Sequence, residues 1–296
     1  MNKPIVGVIG LGSMGGGVAG SLLRAGFPVR VCDVRADVVR SFADAGAAAC
    51  ATPAELGAVC DVVIVLVVNA EQTEAVLFGE QGAAPAMRKG SVLVLSVTVP
   101  PAFAEQLSAR LGERGIVMID GPVSGGAARA AAGEMTMMAS GPPEAFAICE
   151  PVLSSIAQKV YRLGTEAGTG SKVKMVNQLL AGVHIAAAAE AMALGIKAGA
   201  DPNVLFEVIS NSAGSSWMFQ NRVPHILAGD YTPRSAVNIF VKDLGIVLEA
   251  GKRSTLPLPL TAAAHQMFLS AAAAGHGAED DAAVIKIFPG VDLPRS

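Results

Sequence analysis

Charge is scarce in this sequence. Only 16% of its 296 residues are Asp, Glu, Lys or Arg, and 22 Lys and Arg stand against 25 Asp and Glu, a formal net charge of -3. No basic stripe or polybasic cluster is present, which excludes a nucleic-acid-binding surface and an electrostatic membrane patch. The four cysteines, Cys32, Cys50, Cys60 and Cys149, lie far apart with no Cys-x-x-Cys pair, so free thiols in a reducing, cytoplasmic setting are expected. Cys32, beside Asp33, reads as strand filler rather than a nucleophile. The four histidines (184, 225, 265 and 276) lack spacing such as H-E-x-x-H, and no metal site is expected. Long apolar runs are missing too. The densest, VVIVLVV at Val62–Val68, falls far short of the ~20 residues of a membrane-crossing helix. The longest apolar-leaning stretch, Met175–Leu194, is interrupted by Asn177, Gln178, His184 and Glu190 and reads as a buried helix. The start, MNKPIVGVIGLG, enters strand-like sequence directly, and no signal peptide is expected.

What is abundant is apolar and small. Hydrophobic residues make up 52% of the chain and glycine contributes 33 positions, ample for a sizeable core and incompatible with intrinsic disorder. The first half repeats one rhythm, a short β-branched run, a turn, and a helical pattern closing at glycine. Ile5–Ile9, Val29–Cys32, Val62–Val68, Ser91–Ser96 and Ile116–Asp120 read as strands. Ser13–Ala25 and Ala36–Ala45 read as helices closed by Gly26 and Gly46. Continuous apolar strands alternating with helices predict a doubly wound α/β domain built on a parallel sheet. Thr136–Ser140 and Lys159–Leu163 are expected to extend that sheet, with a helix between them from near Pro143. After Leu163 the rhythm stops. A helix is predicted over about Ser171–Ala198, then one capped by Asp201-Pro202, then others near 217–228, 235–250, 260–274 and 280–288. The expected organisation is a Rossmann domain over 1–164 and an all-helical domain over 165–296, joined by the long helix.

Gly10-Leu11-Gly12-Ser13-Met14-Gly15 has the spacing G-x-G-x-x-G, a weak signal alone in a glycine-rich chain. Its context sharpens it, because it ends the first strand, opens the first helix and is followed by a strand ending in Asp33. Gly10 permits the tight turn, Gly12 lets backbone N–H groups approach a pyrophosphate, and Gly15 lets the helix pack on the sheet. The helix N-terminus adds unsatisfied donors and partial positive charge. Asp33 is placed to accept from the adenosine ribose hydroxyls and to repel a 2′-phosphate, which favours NAD over NADP. Arg35 works the other way, since a nearby guanidinium suits that phosphate.

Lys174, Asn177 and Gln178 are spaced i, i+3, i+4 at the opening of the long helix and share one face, from which Lys172 points away. An ammonium and a carboxamide side by side suit a hydroxy acid, and the spacing equally suits two solvated polar residues. Asp120-Gly121-Pro122-Val123-Ser124-Gly125-Gly126 follows a strand at the carboxyl edge of the sheet. Ser124 with the N–H groups of Gly125 and Gly126 makes a small anion nest, or simply a loop that needs positive φ.

Four elements in order carry a resemblance over essentially the whole length: GLGSMG at 10–15, DGPVSGG at 120–126, Gly170-x-x-x-Lys174-x-x-Asn177, and Lys242-Asp243-Leu244. With them the chain resembles the β-hydroxyacid dehydrogenase family, which includes 3-hydroxyisobutyrate dehydrogenase and tartronate semialdehyde reductase. The segments SSWMFQNR (215–222), GDYTPRSAVNIFVKDLG (229–245) and AEDDAAVIKIF (278–288) resemble the branch acting on four-carbon sugar acids. The resemblance implies that Lys174 is the catalytic lysine and Asn177 orients the substrate. It implies that Ser124, Gly125 and Gly126 hold the substrate carboxylate, and that Thr98 and Lys242 contact the cofactor with the glycine turn and Asp33. Two departures stand out: Val67-Val68 where the family often has Leu-Pro, with backbone contacts to the cofactor expected to persist, and Asn177-Gln178 where it often has Asn-Asn, a change that bears on how the substrate hydroxyls are read. The expected activity is NAD-dependent oxidation of the C2 hydroxyl of a four-carbon sugar acid to the 2-oxo acid, Lys174 taking the hydroxyl proton. A free lysine, pKa ~10.4, is a poor base at neutral pH, and burial beside a cationic ring lowers it. The alternatives are 3-hydroxyisobutyrate oxidation, a semialdehyde reductase using NADPH, and a non-catalytic NAD sensor, which would not need Lys174 beside Asn177. Small-residue stretches at Ala186–Ala189 and Ala271–Ala274 suit a homodimer or homotetramer. Trp217 and Met218 are expected to pack.

Overall fold

Short aliphatic runs become strands buried on both faces, as a helix-covered parallel sheet demands. A computed structural model describes residues 3–294. In chain order the elements are β1 (Val6–Ile9), α1 (Ser13–Arg24), β2 (Val29–Cys32), α2 (Ala36–Asp44), β3 (Ala48–Ala49), α3 (Pro53–Val59), β4 (Val62–Val65), α4 (Ala70–Phe78), β5 (Val92–Leu95), α5 (Pro101–Gly112), β6 (Val117–Asp120), β7 (Val123–Ser124), α6 (Gly126–Ala132), β8 (Met135–Ala139), α7 (Pro143–Ile156) and β9 (Ala157–Arg162). Then come α8 (Thr169–Lys197), α9 (Pro202–Ser210), α10 (Trp217–Ala228), α11 (Val237–Arg253), α12 (Pro259–Ala271), a short π-helical turn (Ala272–His276) and a 3₁₀ helix (Asp281–Ile287). The chain divides into two compact units, Met1–Lys174 and Met175–Ser296.

The first unit is built on a six-stranded parallel sheet in the order β3-β2-β1-β4-β5-β6. The two-residue alternation of a strand sends Val6, Val8, Val62, Ile64 and Val94 to one core and Ile9, Val63, Val65 and Leu95 to the other. Strand order reverses at β1 and β4, and ligands of such sheets bind at the carboxyl ends beside that switch. The segments at 136–140 and 159–163 do not extend this sheet. They form, with β7, a separate three-stranded sheet in the order β7-β8-β9. The cause is the turn after β6. Pro122 has no N–H to donate, and Met138 N–H bonds the Pro122 carbonyl at 3.0 Å, so β8 pairs with the turned segment. An isolated bridge between Asp120 and Ser140, just past β8, ties this sheet back to β6.

The second unit is helical among the described residues, apart from one bridge between Ala236 and Asp280. By length and composition α8 is the one described helix able to cross a bilayer. Its Ile185, Ala189 and Met192 instead enter the core of this unit, where Phe240 and Phe268 stack with centroids 5.1 Å apart. The segment predicted as a helix near 280–288 is a 3₁₀ helix, and Asp280 caps it by accepting from Ala282 N–H. Trp217, expected to pack, is 55% exposed. Met218 does pack against the core.

Three of the segments that carry the resemblance meet in one buried ion network here. Arg222 Nε donates to Asp281 Oδ1 at 2.5 Å and Arg222 Nη2 to Oδ2 at 3.1 Å. His225 Nδ1 lies 2.9 Å from Asp280 Oδ1, and Arg234 Nη1 lies 2.6 Å from His225 Nε2. A guanidinium only donates, so Nε2 accepts and the ring proton sits on Nδ1, donated to Asp280. Burial works to raise Asp280, but hydrogen bonds from His225 and from the Arg234 and Ala282 N–H groups outweigh it and hold the carboxyl below its ordinary value. Asp281 goes the other way, because burial pushes it up to about 6 against the pull of Arg222.

Removing the carboxylate leaves a largely buried guanidinium without its counter-charge, so Asp281→Ala is expected to destabilise the helical unit by about 3–5 kcal/mol, read in denaturant unfolding. The folded pKa of Asp281 exceeds the ordinary 3.8. Its contribution is therefore fully present below that value and is lost as pH rises through about 6. The stability difference between wild type and Asp281→Asn is expected to shift against the wild type across that window. A difference flat in pH would refute the assignment.

Candidate active site

The carboxyl ends of the parallel strands carry most of the residues singled out in the sequence. β1 ends into Gly10, β2 into Asp33, β4 into Leu66-Val67-Val68, β5 into the loop holding Thr98, and β6 at Asp120. Gly10 has φ +92°, and a Cβ there would lie 2.6 Å from the Leu66 carbonyl oxygen. A Cβ on Gly15 would lie 1.8 Å from the Gly10 carbonyl oxygen, so the turn folds only with glycine at both positions. At Gly12 a Cβ would meet nothing within 4 Å, leaving that side of the loop open to a ligand. Gly12 caps α1 without a side chain, and the first turn, Ser13-Met14-Gly15, holds no acidic residue. Neither the cap nor the first turn thus offers an acidic side chain to the donors and partial positive charge of this helix end.

Asp33 is tied to that turn. Its Oδ2 accepts from Leu11 N–H at 2.6 Å, while Oδ1 accepts from Arg35 N–H at 2.9 Å and Arg35 Nε at 3.0 Å. Burial works to raise the carboxyl, but the bonds from the Arg35 side chain and from the Leu11 and Arg35 N–H groups outweigh it and hold it at about 2. Arg35 is thereby engaged by the Asp33 carboxylate. Val68 N–H donates to Gln72 Oε1 at 2.9 Å, a side chain in the first turn of α4. Thr98 is half-buried in the loop before α5.

Asp120, to which the sequence pattern gave no role, is fully buried. Its Oδ2 accepts from Gly168 N–H at 2.9 Å and Ser171 N–H at 2.8 Å, and its Oδ1 from Ser171 Oγ at 2.7 Å. This carboxylate caps the first turn of α8 from another element, where helix N–H groups otherwise lack partners. Burial raises Asp120 above the ordinary carboxylate value, and the bonds from Ser171, Gly168 and Ser140 pull against it without cancelling it. Lys174 follows one turn on and is 7% exposed. Lys172 is exposed and pairs with Glu105 at 2.9 Å, as its different face requires. Ser124 ends β7, and Gly125 and Gly126 follow with φ of +135° and +74°. The signal for Asp120 was its place at a strand end, but its partners lie 48 and 51 residues away.

In the second unit Asn177 Nδ2 donates to Gln178 Oε1 at 3.0 Å, and Gln178 Nε2 donates to Asp243 Oδ2 at 2.5 Å. Lys242 Nζ lies 2.7 Å from Asp243 Oδ1. The structure thus links Asn177 of α8 and Lys242 of α11 through Gln178, whose departure from the family's Asn bears on how the substrate hydroxyls are read, and through Asp243, to which the sequence pattern assigned no part in the chemistry.

A glycine turn at the β1 edge, an uncapped helix end beside it and an ionised carboxylate closing β2 define a dinucleotide-binding oxidoreductase fold. Residues 5–164 match the NAD binding domain of 6-phosphogluconate dehydrogenase, and residues 168–288 match the NAD-binding domain of NADP-dependent 3-hydroxyisobutyrate dehydrogenase. The chain is 68% identical over 289 residues to L-threonate dehydrogenase of Cupriavidus necator, covering 98% of this chain and 97% of that one. It is 51% identical over 290 residues to the L-threonate dehydrogenase of Escherichia coli O6:H1, covering 98% and 96%. A crystal structure of 3-hydroxyisobutyrate dehydrogenase from Salmonella typhimurium matches with TM-score 0.92 and 50% identity, over 97% of this chain and all of that one. The chain belongs to the β-hydroxyacid dehydrogenase family related to 3-hydroxyisobutyrate dehydrogenase. It is an NAD-dependent hydroxyacid dehydrogenase.

With its carboxyl held at about 2, Asp33 is ionised throughout the neutral and mildly acidic range. The wild-type preference for NAD over NADP in kcat/KM is expected to stay constant between roughly pH 5 and 9, and Asp33→Asn, which also releases Arg35, to narrow it by about tenfold. Asp120→Asn turns an amide N–H₂ toward the Gly168 or Ser171 donors. It is expected to cost about 2–3 kcal/mol of first-unit stability, measured by denaturant titration, with Asp120→Ala at least as costly.

Proposed function

We propose that the chain oxidises the C2 hydroxyl of L-threonate to the corresponding 2-oxo acid. The observation that carries the substrate is the 68% identity, over nearly both full lengths, to the C. necator protein named L-threonate dehydrogenase. In this reading residues 1–164 form the dinucleotide domain and 165–296 the substrate and oligomerisation domain. NAD would be held by Gly10–Gly15, with the phosphates at the start of α1 and a ribose on Asp33, and by Val67, Val68, Thr98 and Lys242. When bound it supplies the acceptor for the hydride that leaves C2.

The chain's own residues do the rest. Ser124 Oγ and the N–H groups of Gly125 and Gly126 receive the substrate carboxylate, in a turn whose positive φ values open the backbone donors to an anion. Asn177 orients the substrate through its hydroxyl groups. Lys174 Nζ accepts the hydroxyl proton as the C2–H pair departs, becoming an ammonium, and returns it to the oxygen in the reverse direction. The burial of Lys174 at 7% exposure, one turn beyond the Asp120 cap, supports this role, because a solvated lysine would be neither dry nor fixed. Apolar side chains left exposed in the second unit, Leu180 at 50%, Leu194 at 71% and Leu260 at 70%, support a homodimer or homotetramer.

A second reading, 3-hydroxyisobutyrate oxidation, is favoured by the 50% identity to the Salmonella typhimurium structure described as 3-hydroxyisobutyrate dehydrogenase. Initial rates of NAD reduction over L-threonate, D-threonate, glycerate and 3-hydroxyisobutyrate decide between them, and L-threonate is expected to give the highest kcat/KM. Lys174→Ala is expected to lower turnover of the best substrate by at least ~10²-fold with NAD binding retained in fluorescence titration. Survival of that turnover would remove Lys174 from the chemistry.

A further inference from the structure

The polar chain in the second unit has a direction. Asp243 is 1% exposed, and a carboxylate so deeply buried needs donors at both oxygens. Lys242 faces Oδ1 and Gln178 Nε2 faces Oδ2. Because Asp243 can only accept, it dictates which end of the Gln178 amide turns toward it. If Gln178 flipped, its Oε1 would face the carboxylate and its N–H₂ would face the N–H₂ of Asn177. Both contacts would be repulsive. Gln178, 8% exposed, is therefore held with Oε1 toward Asn177, where it accepts at 3.0 Å. Asn177 is in turn held with Nδ2 on Gln178 and Oδ1 directed elsewhere. The helices carrying this chain approach closely. One turn after Gln178, a Cβ on Gly182 would lie 2.8 Å from Leu244, the neighbour of Asp243.

We propose that Gln178 is a positioning residue that passes the charge of Asp243 to the Asn177 amide, so that Asn177 presents its carbonyl oxygen, an acceptor, to a substrate hydroxyl. This rests on the preceding reading of Asn177 as the residue that orients the substrate. The length of Gln178 is the essential property. Asparagine at 178 keeps the amide but is shorter by one methylene, too short to close a 2.5 Å bond to Asp243 with both helices in place. An acceptor fixed in this way favours acids that carry an additional hydroxyl donor over acids that carry a methyl group there.

The test compares full-length wild type with Q178N, Q178E, D243N and the Q178E/D243N double variant, using NAD with L-threonate and with 3-hydroxyisobutyrate. Q178E sets two carboxylates together. It is expected to lower kcat/KM for L-threonate at least ~10-fold at neutral pH, with activity returning at lower pH as the pair takes up a shared proton. In the double variant the carboxylate introduced at position 178 accepts from Asn177 and from the amide introduced at position 243, so most of the lost kcat/KM should return. Q178N is expected to lose as much as Q178E without pH-dependent recovery, and to lose more on L-threonate than on 3-hydroxyisobutyrate. Should Q178E fail to fold, Q178N and that substrate ratio decide the matter. The proposal is overturned if the single variants keep wild-type kcat/KM within about twofold, or if the double variant is no better than Q178E. A wild type inactive on every acid tested would instead sink the reading beneath it.

Discussion

One buried carboxylate ties the end of β6 to the start of α8. Asp120 ends β6 and accepts both backbone N–H groups and the serine hydroxyl that open α8. A charge-assisted cap of this kind satisfies orphan donors and complements the positive end of the helix. It also fixes the rotation of α8 about its own axis, and the face on which Lys174 lies follows from that. The same residue leads within a few positions into Ser124-Gly125-Gly126. The Ser124-Gly125-Gly126 turn and the lysine are thus referred to one point at the sheet edge, Asp120, which is fully buried.

With so few charges in the chain, where they are buried matters. Asp33, Asp120, Asp243, Asp280 and Asp281 each have side-chain or backbone donors at close range. A buried ion is costly unless its hydrogen-bonding capacity is met, so these groups specify geometry more than they add stability. Asp33 and Asp281 show the two limits. The first has donors enough to overcome burial and stays ionised far below neutral pH. The second is buried so fully that even Arg222 leaves it elevated.

The segments at 215–222, 229–245 and 278–288 illustrate how motif and function part company. Arg222, Arg234, Asp280 and Asp281 are charged residues of these three segments. In the fold they bond one another and His225, and they hold the 3₁₀ helix against α10. Only Lys242 and Asp243, in the middle segment, bear on the residues linked to Asn177. Much of that resemblance is therefore the signature of a shared scaffold.

The amino-acid sequence alone determined the strands of the main sheet, most of the helices and the glycine turn with Asp33, because periodicity, capping and turn chemistry are written in contiguous residues. It placed Lys174 and Asn177 on one face of a helix, since three residues are close to one helical turn. It misjudged the second sheet, where a proline without an N–H redirected the pairing of β8, and it was silent on Asp120 and Asp243 as organisers and on the bond that ties Gln178 to Asp243. Their partners lie 48 to 65 residues away. Which buried carboxylate meets which donor is settled when distant elements pack, and no local pattern encodes it.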